Sequence, residues 1–351
     1  VVIAGGYGTG RELVEFFMTR GAAGGLLGMG ATMLMWSAVA MVSFELARVF
    51  RAFDYRSFFI VLLGRGWIAF ELCYIVLLMI ILAVIAAASG TILEETFGLP
   101  YAVGVLGIMV AVGALVLGGS KVVERYMAGW AFVLYGIYLV FVVWCFSRFG
   151  ERTVSTLADS TLQSGWLLGG VEYASYCLAA VPAVLFTLRY HHGRGETLGA
   201  GLLTGPLAIA PAVLFYLAMV SQYPDILDKP VPVNYLLQVL GSRSLQVVFQ
   251  VALLGTLIAT GTGLIHAVNE RIDQVFKERD SQMPKSVRSA CALGLLLVGT
   301  LLSTFGLIDL IAKGYGTLTW FFLAIYVIPV LTLGIWRIRK RSANPISSAA
   351  G

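Results

Sequence analysis

The residues in this sequence best suited to do chemistry are few, and they sit where polar groups are costly. The run SGWLLGGVEYASYCLAAVPAVLF places Gly169, Gly170, Glu172, the polar series Tyr173, Ser175 and Tyr176, and then Pro182 inside an otherwise apolar stretch. An ionised carboxylate at membrane depth is unfavourable unless paired or wetted, so Glu172 is neutral, ion-paired or hydrated. A carboxyl that alternates between such environments can carry a proton; a structural ion pair is the competing reading. The chain opens on VVIAGGYGTGRELVEFF, with Gly5, Gly6, Gly8 and Gly10 interleaved with Tyr7 and Thr9 and followed at once by Arg11 and Glu12. Glycine weakens a helix by about 1 kcal/mol relative to alanine. A stripe of glycines on one face would read as close helix packing. Here they fall on all faces, which favours an unwound segment. Free amides and carbonyls persist in a bilayer only when they face a cavity, water or a solute. Amides at a helix start carry positive partial charge and suit a carboxylate.

Other constellations are excluded. His191, His192 and His266 do not converge on a metal site, and Cys73, Cys145, Cys177 and Cys291 all lie in apolar segments without CxxC spacing. They read as buried small hydrophobes rather than as disulfides or a zinc centre. No Walker A motif is present, and no nucleophile–base pair supports an enzyme. No cofactor is expected. The net charge of +5 comes from loop arginines and lysines and bears on topology, not on nucleic acid.

The elements that must position these residues are membrane helices. Hydrophobic residues make up 59% of the chain and charged residues 12%, half the charged share of a soluble domain. Apolar stretches of about 20 residues recur, each able to cross the hydrocarbon as a helix. The fold class is all-α integral membrane, with ten spans at roughly 1–18, 23–50, 57–90, 101–119, 122–147, 165–190, 197–221, 243–275, 286–305 and 313–338. The four residues before the first glycine cover only about 6 Å as helix, so the first span is expected to begin upstream of Val1. Basic clusters at 48–56, 271–288 and 337–341 fall on one side, which places both termini in the cytoplasm of a multi-pass protein of the inner membrane. The connection 222–242, with Pro224, Pro230 and Pro232, then lies outside, and its YLLQVL stretch reads as a short helix over a vestibule. The two glycine-interrupted spans are the first and the sixth. Five spans per half is an odd number, so the halves 1–148 and 165–338 are expected to form a 5+5 inverted repeat with helices 1 and 6 broken, followed by a cytoplasmic tail at 339–351. Paired interrupted spans of this kind point to a transporter site.

These residues carry a family resemblance. GGYGTGRELVEFF is similar to the first helix of the YkvI-like bacterial membrane proteins of the amino acid–polyamine–organocation superfamily, which have the LeuT fold. Gly170-Val171-Glu172 followed by Ala174-Ser175 resembles the G-V-E-S-A-S run of amino-acid antiporters in that superfamily, with Tyr173 in place of a serine. The resemblance implies that Glu172 lies near the transport path and that Trp166, six residues earlier, flanks the solute. It also implies that the third span lines the site, which brings in Glu71 and Tyr74; Glu71 could equally pair with Arg65. In sodium-coupled members the eighth span supplies hydroxyls to a sodium ion. Thr256, Ala259 and Thr260 share one face at i, i+3, i+4 spacing, and with Thr262 they are the ion-binding candidates; another alignment uses Ala259, Thr262 and Gly263. Threonines bonding their own helix backbone are the alternative.

The implied activity is secondary active transport of a small polar solute, an amino acid or related compound, by alternating access coupled to sodium or protons. The substrate-binding candidates are Gly5, Gly6, Tyr7, Gly8, Thr9, Gly10, Glu71, Tyr74, Trp166, Glu172, Tyr173, Ser175 and Tyr176, with Glu172 as the proton-coupling group. The alternative is a ligand-sensing membrane subunit of the same fold, as in spore-germination receptors, because fold alone does not establish transport.

Overall fold

The computed structural model describes residues 8–118, 120–190, 193–277, 281 and 283–343. Gly5, Gly6 and Tyr7 of the first glycine cluster, together with His191 and His192, lie outside the described residues. What is described is helical. Eight helices are long and apolar enough to cross a membrane, and Tyr101–Leu117 is a shorter apolar helix.

Gly8 and Thr9 are helical, and Gly10 then takes φ 82°, a left-handed conformation that interrupts the helix before α1, Arg11–Phe16. The left-handed φ is what calls for glycine there; a Cβ would also come within 2.9 Å of the Met219 sulfur, the flexible end of that side chain. Thr9 Oγ1 accepts from the Arg11 amide at 3.3 Å. A 3-10 turn, Met18–Arg20, leads into α2, Ala22–Phe50. The third span is longer than expected and is not one helix. Gly64, at φ 60°, separates α3, Tyr55–Leu63, from α4, Trp67–Phe97. Helices α5, Tyr101–Leu117, and α6, Ser120–Ala158, follow, the latter reaching well beyond residue 147.

The sixth span begins as a regular helix, α7, Trp166–Cys177, and continues as 3-10 helix over Leu178–Tyr190. The break expected in this span is not near its glycines: α-helical geometry persists through Cys177. The switch falls where proline chemistry dictates. Pro182 has no amide to donate to the carbonyl four residues back, and its ring crowds that carbonyl, which is Leu178. The remaining helices are α8, Arg194–Val220; α9, Pro232–Leu240; α10, Arg243–Lys277; α11, Lys285–Leu302; and α12, residues 307–343, which alternates α and π turns. The short helix expected within 222–242 is α9, started by Pro232 at its first turn.

Packing sorts these helices into two groups. Along one group α2 lies against α8 and α7; in the other α4 packs on α5, α10 and α11, with α10 also against α5. Two helices bridge them: α6 touches both α8 and α10, and α12 touches α2, α4 and α7. Contact within the first group relies on glycine. A Cβ at Gly170 of α7 would collide with the Gly28 carbonyl of α2, and one at Gly201 of α8 would lie 2.5 Å from the Met41 Cα of α2. Small residues allow such approach where the hydrophobic effect between helices is absent.

Polar side chains lock both ends of the bundle. At the α9 end, Asn234 is fully buried and joins three elements: its amide donates to Glu95 at 2.8 Å, and its Oδ1 accepts from Gln246 at 2.8 Å, Gln250 at 2.9 Å and Thr96 at 3.3 Å. Arg243 adds a bond to Gln246 at 2.9 Å and another to the Thr96 carbonyl. At the opposite end Glu45 of α2 pairs with Arg48 at 2.7 Å and with Arg194 of α8 at 3.5 Å.

Candidate functional site

The first helix, α1, meets α7 of the sixth span. The Phe16 ring of α1 stands 5.7 Å from Tyr173 and 5.5 Å from Tyr176 of α7, and Phe17 lies 5.0 Å from Tyr173. Tyr176 in turn stacks on Tyr315 of α12 at 4.7 Å. Into this aromatic junction α1 projects Glu12, only 7% exposed. Its carboxylate lies beside the Tyr176 hydroxyl, within electrostatic range of Tyr315 and Cys177, without a well-formed hydrogen bond to that hydroxyl. Arg11, the adjacent residue, points elsewhere. Its guanidinium donates to the carbonyls of Leu227 at 2.7 Å and Lys229 at 3.3 Å and pairs with Glu15 at 2.7 Å. Glu12 thus has no ion pair among the described residues.

A crevice of about 470 Å³ opens beside this cluster, lined by Glu15 and Phe16 of α1, Arg20 of the 3-10 turn after it, Glu172 of α7, and Lys313, Thr317 and Trp320 of α12, among others. Glu172 faces it with 18% of its side chain exposed and Arg20 4.0 Å away, while its backbone carbonyl accepts from Thr319 at 3.0 Å. Two acids, two bases and two aromatic rings in one crevice can hold a small molecule bearing both charges beside an apolar group.

The other expected residues divide between this region and elsewhere. Tyr173 and Tyr176 belong to the junction. Ser175 is buried but bonds the Val171 carbonyl of its own helix at 2.7 Å. Trp166 packs against Gly24 and Gly28 of α2 and does not line the crevice. Glu71 and Tyr74 are held at the end opposite α9: Arg271 of α10 ion-pairs with Glu71 at 3.4 Å and lies over the rings of Tyr55 at 4.1 Å and Tyr74 at 4.3 Å. Glu71 therefore pairs with Arg271 and not with Arg65. On α10, Thr256 bonds the Ala252 carbonyl and Thr260 the Thr256 carbonyl, both at 2.9 Å, and Ala259 has no polar side chain to offer. Thr262 differs: it is fully buried and its hydroxyl has no partner among the described residues.

Glu12, Phe16 and Tyr315 were not singled out from sequence. A signal existed for Glu12, because Arg11 and Glu15 are spaced i, i+4 and satisfy each other. Glu12, one position along the helix, is left facing a different side.

No protein-family model matches the chain. Over 278 residues it is 23% identical to the uncharacterized membrane protein YkvI of Bacillus subtilis (strain 168), covering 77% of this chain and 78% of that protein. The solved structure of MhsT in complex with L-phenylalanine superposes with a TM-score of 0.57, at 15% identity, over 95% of this chain and 93% of the other. The chain is similar to YkvI in sequence and has the fold of MhsT, the LeuT fold. The α1–α7 contact is close and depends on glycine: a Cβ at Gly169 would strike the Phe16 carbonyl. Gly169→Ala is expected to push α7 away from α1 at a cost of about 1–3 kcal/mol. A thermal melt in detergent should show a lowered Tm, whereas an unchanged Tm would mean that the contact is looser than it looks.

Proposed function

We propose that this protein is a secondary transporter that moves a small polar solute, an amino acid or related compound, across the inner membrane by alternating access. The observation that carries this reading is the meeting of a glycine-interrupted α1 with α7 and α12 around buried polar groups, next to a charged crevice, at the boundary between two separately packed groups of helices. Such sites at the junction of discontinuous helices are the transporter solution to binding a polar solute in lipid. The group holding α1, α2, α7 and α8 rocks against α4, α5, α10 and α11, with α6 and α12 as the bridges. The chain is read as a 5+5 inverted repeat with both termini cytoplasmic, which puts α9 and the crevice outside and the Arg271–Glu71 pair inside. Glu15, Arg20, Glu172 and Lys313 meet the solute first, at the crevice, and amides around Gly8–Gly10 receive its carboxylate deeper in. MhsT was crystallised with L-phenylalanine, which supports an amino acid as the first solute to try.

Sodium is the proposed coupling ion at α10, and the lone buried hydroxyl of Thr262 favours the alignment of Ala259, Thr262 and Gly263 over the backbone-bonded Thr256 and Thr260. Thr262→Ala should lower the sodium dependence of uptake severalfold, while Thr256→Ala and Thr260→Ala leave it near wild type. Equal sodium dependence in all three variants would remove α10 from ion binding.

Exposure of the crevice tests the alternation. With Thr317→Cys placed in a background freed of the four native cysteines, a membrane-impermeant maleimide applied from outside should label position 317 at a rate that changes severalfold when L-phenylalanine and sodium are added together. A rate indifferent to both, with binding demonstrated in the same sample, would contradict alternating access.

A further inference from the structure

The transport reading leaves one buried charged group without a task. Glu12 is on α1, immediately after the left-handed turn at Gly10, and is nine-tenths buried. Several groups lie near it among the described residues. From α7 come Tyr176 and Cys177; from α12 comes Tyr315; and on its own helix Arg11 is turned toward Glu15 and toward the Leu227 and Lys229 carbonyls. None of these supplies a positive charge to Glu12. The Tyr176 hydroxyl, itself in a ring 6% exposed, is aimed at the same spot without completing a hydrogen bond. A carboxylate in such a place is strongly disfavoured while it remains ionised and unpaired. Two states relieve it: the neutral acid, or the anion with a cation against it. The surroundings suit the second state as well as the first, because Tyr176, beside the acid, packs with Phe16 and Tyr315 in one aromatic cluster, and aromatic rings attract ammonium groups.

We propose that Glu12 is the ammonium-binding group of the transport site, holding a proton in the absence of solute and exchanging it for the ammonium of an amine-bearing solute. In the exchange the carboxyl O–H bond breaks, the proton leaves to water, and the ammonium becomes the counter-charge of the carboxylate. The solute class is therefore amines and amino acids; a carboxylic acid without an amine is refused. This deepens the transport reading and rests on it for the word transport, but the binding chemistry stands separately. Glu172, 18% exposed on its crevice with Arg20 4.0 Å away, is the outer charge of the route and does not undergo the exchange.

Infrared difference spectroscopy of the lipid-reconstituted protein reads the C=O stretch of protonated carboxyl groups directly. The wild type should show such a band at neutral pH. Glu172→Gln should keep it and Glu12→Gln should lose it; if Glu12→Gln does not fold, Glu12→Asp should shift the band instead. The probes are 2-phenylethylamine, L-phenylalanine and 3-phenylpropionate, which share one ring and differ in charge. Either ammonium compound should abolish the band and release a proton for each molecule bound, seen with a pH indicator in weak buffer, and 3-phenylpropionate should do neither. A band that survives in Glu12→Gln, or that no ammonium probe removes, overturns the assignment. Proton-releasing amine binding without any flux would sink the transport reading and leave Glu12 as the ammonium site.

Discussion

Asn234→Leu is expected to be among the most damaging single substitutions in the protein. The side chain is fully buried and serves four partners drawn from α4 and α10. Leucine has a similar volume but no polar atoms, so Glu95, Thr96, Gln246 and Gln250 each lose a partner at once. A buried polar group left unsatisfied costs about 1–3 kcal/mol, and a network fails together more severely than its pairs suggest. The expected loss is about 3 kcal/mol or more, read as a large fall in Tm and as faster proteolysis of the 222–242 connection. Asn234→Asp separates charge from shape. It retains the acceptor that the two glutamines use but places a carboxylate against Glu95. Like charges at contact repel, and protonation of either one relieves the repulsion. The deficit of Asn234→Asp relative to wild type should therefore be largest at neutral pH and shrink as the pH is lowered. A deficit that grows on acidification would show that Glu95 is not the neighbour that matters.

The second large effect is expected at Arg11. Its side chain is 5% exposed and holds Glu15 and two backbone carbonyls of the segment leading to α9. Arg11→Ala removes the only described cation from Glu15 and leaves both carbonyls without their donor. About 2–4 kcal/mol is expected from the lost charge-assisted bonds and the uncompensated groups. Arg11→Lys should recover part of this, because one ammonium cannot reproduce the guanidinium's several fixed donors. The same change should release the 222–231 segment from α1, so hydrogen exchange in that segment should rise in Arg11→Ala and much less in Arg11→Lys. Unaltered exchange would place the anchor of that segment elsewhere, at α9 alone.

Much of the architecture was legible because membrane helices announce themselves by apolar length. The sixth and eighth spans, expected at 165–190 and 243–275, are observed at Trp166–Tyr190 and Arg243–Lys277, and the short helix after Pro232 was marked by the proline itself. What was not legible depended on distant partners. Glu71 has a cation six residues away in the sequence, Arg65, yet it pairs with Arg271, two hundred residues on. The shared face of Thr256 and Thr260 is real, but each hydroxyl already serves its own helix, and only the fold reveals that Thr262 does not. The exact start of the irregular stretch in the sixth span was displaced by a few residues because Pro182 acts four positions upstream of itself. Glu12 was read only together with Arg11, as a charged pair after the glycines, and only the carbonyls of Leu227 and Lys229 and the carboxylate of Glu15 show that Arg11 is already engaged.

Solute exchange in proteoliposomes decides whether this fold transports or only senses. Vesicles preloaded with unlabelled L-phenylalanine and its amine and amino-acid analogues, diluted into trace labelled solute, should accumulate label transiently in a saturable manner, and vesicles bearing Glu12→Gln should not. Specific, saturable binding by the purified protein with no exchange above that of protein-free vesicles would contradict transport and identify the protein as a ligand-sensing membrane subunit.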